Sequence, residues 1–74
     1  MKTFDEIMTV EEVADYLKLK PQTIYKWAQD GLIPAAKLGK EWRFRKSIID
    51  AWIDKQIYES PAIAKLKNEL TKTE

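Results

Sequence analysis

Apolar positions in the first quarter of the chain recur at helical spacing. Val10, Val13, Ala14 and Leu17 fall at i, i+3, i+4 and i+7, the mark of a helix with one buried face. Thr9 and Glu12 form a Thr-x-x-Glu capping box just ahead, in which hydroxyl and carboxylate satisfy each other's free backbone donors. Met8 and Val13 have the spacing of the matching hydrophobic staple. The pattern predicts a first helix over Val10–Leu17. Only Lys18-Leu19-Lys20 then precede Pro21, whose missing N–H is not needed in a first helical turn. Ile24, Trp27 and Ala28 again share a face. Gly31 stands where a helix C-terminus takes a positive φ, and Pro34 blocks any resumption. Two short amphipathic helices so closely joined make a helix-turn-helix, with Leu19 expected to plug the corner.

After Pro34 the period changes to two. Ala36, Leu38, Trp42 and Phe44 are expected on one face of a β-hairpin and Lys37, Arg43 and Arg45 on the other, with Gly39-Lys40 as the tight turn. The first face would pack on the helices and the second would present a ladder of cations, with Lys40 at its tip. Lysines also guard sheet edges, but arginines in line beside a helix bearing Lys26 exceed what protection requires. Ser47 is expected to cap a third helix, supported by Asp50 three residues on. Ile48, Ile49, Trp52, Ile53 and Ile57 give that helix a broad apolar arc for the core. Ser60-Pro61 ends it and can cap another helix. Ile63, Leu66 and Leu70 then form a stripe too thin to hold a helix in water alone. This tail is expected to be loosely ordered, or to dock through that stripe on a partner. Met1–Ile7 has no period and is expected to be a frayed lead-in, with Phe4 and Ile7 as its residues for packing on the core.

The expected fold is mainly α with a small two-stranded antiparallel β wing, a winged helix-turn-helix. One domain covers residues 1–59, with the helix-turn-helix at 9–31, the wing at 35–45 and the third helix at 47–58. Residues 60–74 form the tail.

Composition narrows the function. Seventy-four residues lie close to the lower limit for an unaided core, although 45% hydrophobic content with three Trp is enough to fold. The absence of Cys and His excludes disulfides and thiolate or imidazole metal sites, and it suits a reducing cytoplasm. No apolar run or signal pattern suggests a membrane or an export route. There is no Gly-rich phosphate loop and no nucleophile beside a base, so an enzyme is the poorest fit and no cofactor or metal is expected. The net charge of +1 conceals a division. Residues 18–46 carry eight cations against Asp30 and Glu41, a balance of +6, which leaves −5 on the rest. A basic centre with acidic flanks suggests a polyanion met by one face.

The outward side of the second helix carries Gln22, Lys26 and Gln29, flanked by Thr23 and Tyr25. In isolation it is an ordinary solvated face. Beside the basic turn and wing it can hydrogen-bond base edges and phosphates. Gln22, Thr23, Lys26 and Gln29 are the candidates for reading bases. Lys18, Lys20, Tyr25, Lys37, Lys40, Arg43 and Arg45 are the candidates for the DNA backbone, and Ile63, Leu66 and Leu70 for a protein partner.

The run from MTVEEVADYL through PQTIYKWAQDGLIPAAKLGKEWRFRKSIIDAWI, Met8 to Ile53, resembles the excisionase-type DNA-binding domain. That family is a winged helix-turn-helix related to the mercury-resistance-regulator type. The resemblance implies that Pro21–Gln29 enters a major groove of double-stranded DNA while the Lys37–Arg45 hairpin reaches backbone or minor groove. It also implies DNA bending with a recombinase or integrase, or else transcriptional control, in a bacterial or phage setting. A second copy of the chain is the other partner expected at the tail. A protein-interaction adaptor without DNA is the contrasting class. The family usually has Ser or Thr before its second helix. Here Lys20-Pro21 stand there, so a side-chain cap is lost and Lys20 is available to a phosphate.

Overall fold

A computed structural model describes residues 6–71, so the expectation for Phe4 lies outside the described residues. The order is β1 (Ile7–Met8), α1 (Val10–Leu17), α2 (Pro21–Gln29), β2 (Ala36–Leu38), β3 (Glu41–Arg45), α3 (Lys46–Tyr58) and α4 (Pro61–Thr71). The sheet is antiparallel, in the order β1-β3-β2.

Helix α1 begins at the expected box. Glu12 N–H donates to Thr9 Oγ1 at 3.1 Å and Thr9 N–H to Glu12 Oε1 at 2.9 Å. It ends on Lys18 in the left-handed region, φ 61°, with Leu19 N–H donating to Ala14 O at 2.8 Å. That backbone bond closes the corner. Leu19 does not plug it, because the left-handed residue turns the next side chain outward and leaves it 41% exposed. Helix α2 ends similarly. Gly31 takes φ 73°, and Leu32 N–H donates to Trp27 O at 2.8 Å, the Schellman closure.

Val13, Ala14, Ile24, Ala28, Phe44 and Ile49 meet in the core, joined by Met8 and Ile33. Trp27 and Trp52 flank it with ring centroids 6.1 Å apart and planes tilted by 58°. The apolar arc of α3 is narrower than expected: Ile49 is buried, Trp52 and Ile53 are half-buried, and Ile48 and Ile57 are exposed.

Two expectations at the sheet change. The lead-in ends in β1, where Ile7 stands opposite Arg45 and Met8 opposite Phe44, so the hairpin gains a third strand. Met8 is buried while Ile7 faces out. Helix α3 starts at Lys46 with Arg45 as its cap residue and no side-chain cap bond. Ser47 is therefore inside the helix, because β3 holds Arg45 extended for its pairing and the helix begins where the ladder stops. Lys46 N–H is satisfied by Glu6 O at 2.9 Å. Asp50 accepts from Lys46 Nζ at 3.1 Å and from the Tyr16 hydroxyl.

Ser60 links the last two helices. Its Oγ donates to Ile57 O at 2.7 Å and accepts from Ile63 N–H at 3.4 Å, so α4 leaves the end of α3 through a capped elbow.

Candidate nucleic-acid interface

The outward face of α2 is open. Gln22, Tyr25, Lys26 and Gln29 are exposed and Thr23 is half-buried, while Ile24 and Ala28 hold the opposite side in the core. Pro21 starts the helix and Lys20 makes no side-chain cap bond, so Lys18 and Lys20 stand exposed in the turn just before it. Two contacts order this face. Lys26 Nζ donates to Asp30 Oδ2 at 3.1 Å, and Gln29 Nε2 to the Tyr25 hydroxyl at 3.4 Å.

The wing stands across a cleft of about 550 Å³ from this helix. Gln22 and Tyr25 of α2 line one wall, with Lys40, Trp42 and Arg43 of the hairpin opposite and the first turn of α1 at the edge. The fold thus brings the amide, the phenol, the tip lysine and one wing arginine to a single concavity. A duplex strand separating a major from a minor groove is the shape that such a helix-and-wing pair can straddle.

The expected cation ladder is divided. The two-residue turn places Ala36 opposite Arg43, Lys37 opposite Trp42 and Leu38 opposite Glu41. Directly opposed residues share a face. Ala36 and Leu38 therefore lie with Arg43 and Arg45 on the outer side, and Leu38 is 60% exposed. Lys37 lies with Trp42 and Phe44, its Nζ 5.6 Å from the Trp42 ring centroid. The alternation within each strand is as expected. The step across the turn inverts it, because two intervening residues pair even positions with odd ones. Gly39 at φ 68° allows that short turn.

The cations differ in engagement. Arg43 Nη1 donates to Trp42 O at 2.9 Å and lies 3.7 Å from Glu41 Oε1, which fixes the guanidinium at the mouth of the cleft. Lys46 belongs to another cluster. Its ammonium sits 4.9 Å from the Tyr16 ring centroid and pairs with Asp50. The hydrogen bond to Asp50, then the one with Tyr16, hold its pKa above the ordinary value of 10.5. The basic character of residues 18–46 is thus not all available to one surface.

Trp42 as a cleft wall and Glu41 as the partner of Arg43 were not among the expected site residues. The place of Trp42 in the cleft depends on how the hairpin packs against α2, which periodicity does not supply. The Glu41–Arg43 pair, by contrast, is the i, i+2 neighbour relation of a single strand and was open to a reading of the alternation. On α4, Ile63 is half-buried, while Leu66 and Leu70 are 53% and 68% exposed. Among the described residues, no group of His, Cys, Asp or Glu could hold a metal ion, and no helix is long and apolar enough to cross a membrane.

A family model described as a helix-turn-helix domain matches residues 7–57. That family includes excisionase-like DNA-binding domains. Comparison with curated proteins and with solved structures gives no match.

Proposed function

Since the chain belongs to the helix-turn-helix domain family, a membership that supports sequence-specific DNA binding, we propose that it is an excisionase-type accessory factor. It binds and bends duplex DNA in the site-specific recombination of a mobile element. The observation that carries this reading is the cleft in which Gln22 and Tyr25 of α2 face Lys40 and Arg43 of the wing. A helix placed for base edges and a hairpin placed for the backbone can then engage one duplex together. Gln22, Thr23, Lys26 and Gln29 read bases, while Lys18, Lys20, Tyr25, Lys37, Lys40, Arg43 and Arg45 set position on phosphates. Joining the two across a strand favours a bent duplex, because bending brings more backbone to the wing.

One module of this size reads a short half-site, so useful specificity requires a second contact. The exposed Leu66 and Leu70 of α4 serve that contact, with a recombinase or a second copy of the chain. Selection from a random duplex pool, followed by gel-based bending analysis of the winning sequence, tests the proposal. It predicts a short preferred motif and a bend centred on it. Enrichment of no sequence, or a straight complex, would contradict it.

A further inference from the structure

The two acids within the basic segment are both placed against cations that would meet DNA. Asp30 holds Lys26 at 3.1 Å on α2, and Glu41 lies 3.7 Å from Arg43 on the wing. Neither position is explained by what the fold requires. Asp30 is the C-cap residue of α2, where the negative end of the helix dipole disfavours a carboxylate. Its pair with Lys26 is open to solvent, with side chains 46% and 74% exposed, so it adds little to stability. Glu41 opens a strand, a setting in which Glu is depleted, and it stands beside the tip lysine.

We propose that Asp30 and Glu41 act as a specificity filter, occupying Lys26 and Arg43 so that a duplex offering phosphates alone is held weakly. The inference rests on the DNA-binding reading above. A noncognate duplex must displace each carboxylate and then tolerate its charge near the phosphates. A cognate duplex displaces less, because base-edge hydrogen bonds along α2 fix its register. In that register Lys26 gives a second N–H of its ammonium to a base and keeps Asp30, and Arg43 gives another of its N–H groups to a phosphate and keeps Glu41. The carboxylates therefore lower affinity for every duplex and lower it most where base contacts are missing. Discrimination by an unfavourable element against the wrong partner is the result. The modest overall charge of +1 fits a protein that limits its attraction to DNA at large.

The test compares the full chain with Asp30→Asn, Glu41→Gln and the double variant. Each is titrated against the duplex won by selection and against a scrambled duplex of equal length and composition, at several salt concentrations. Affinity for the scrambled duplex is expected to rise about three- to tenfold per substitution, with the slope of log K against log salt steeper by about 0.9 for each cation released. Affinity for the selected duplex is expected to rise by less than about twofold, so the ratio between the two falls. The thermal midpoint of Asp30→Asn is expected to stay level or rise. Equal gains on both duplexes would overturn the filter while leaving DNA binding intact. No gain on either duplex, with lowered midpoints, would assign both carboxylates to the fold. Failure of the unsubstituted chain to bind any duplex would overturn the DNA-binding reading itself, and the filter with it.

Discussion

Gln22 stands exposed in the first turn of α2 and Arg43 lines the wing side of the same cleft; under the proposed function the amide meets a base edge and the guanidinium a phosphate. The two contacts separate experimentally. Gln22→Ala is expected to flatten preference between related sites by about 1–3 kcal/mol, while Arg43→Ala weakens all duplexes alike and makes the salt slope shallower by about one. Competition binding against a panel of single-base variants distinguishes them, and exchanged phenotypes would mean that the two roles are reversed. Lys18 gives a residue-level test of the fold. Its left-handed φ of 61° strains any residue bearing a Cβ, so Lys18→Gly should stabilise the protein by up to about 1 kcal/mol in thermal unfolding. It should also cost DNA affinity through the lost charge. A lowered midpoint would show that the lysine stem contributes packing that outweighs the strain. Lys46 supplies the pH dependence. Its pKa is raised in the folded state, chiefly by Asp50, so its contribution is complete below the ordinary value of 10.5 and is lost as pH rises through the higher folded value. The midpoint difference between the unsubstituted chain and Asp50→Asn should therefore persist at neutral pH and shrink in strongly alkaline solution. A difference that grew with pH would contradict the assigned direction.

Among the elements, α4 invites the clearest prediction. It meets the rest of the chain at the end of α3 through the Ser60 elbow, and it leaves Leu66 and Leu70 exposed. Removing residues 60–74 should spare binding to one isolated site and reduce cooperative binding to adjacent sites, as read by footprinting on duplexes carrying one or two sites. Unchanged cooperativity would remove the tail from the account. The elements also show what local pattern can convey. Both helices of the helix-turn-helix were legible because their ends are written in side-chain chemistry: the Thr9–Glu12 box, Pro21 and Gly31. The wing was legible as a hairpin, but its faces were not, since the parity of Leu38 against Glu41 depends on turn length and register. Strand β1 was hidden because two residues have no period, and its pairing depends on where β3 lies in space. The start of α3 was misplaced for a related reason: Ser47 has the chemistry of a cap, yet the β1–β3 ladder fixes the cap two residues earlier, at Arg45.

At the scale of the whole molecule, charge is divided between a basic turn, helix and wing and acidic flanks, and the fold decides which cations work together. Lys40 and Arg43 share a cleft with α2, Lys37 stands over Trp42, and Lys46 is drawn into the Tyr16–Asp50 cluster. If the helix and the wing grip one duplex at once, roughly 4–6 phosphates are engaged, and the affinity must carry the signature of released counterions. The most direct measurement is the affinity for the selected duplex as a function of salt concentration. Simultaneous contact predicts a linear fall of log K against log salt with a slope of about −4 to −5. Binding nearly independent of salt would contradict the shared contact of helix and wing.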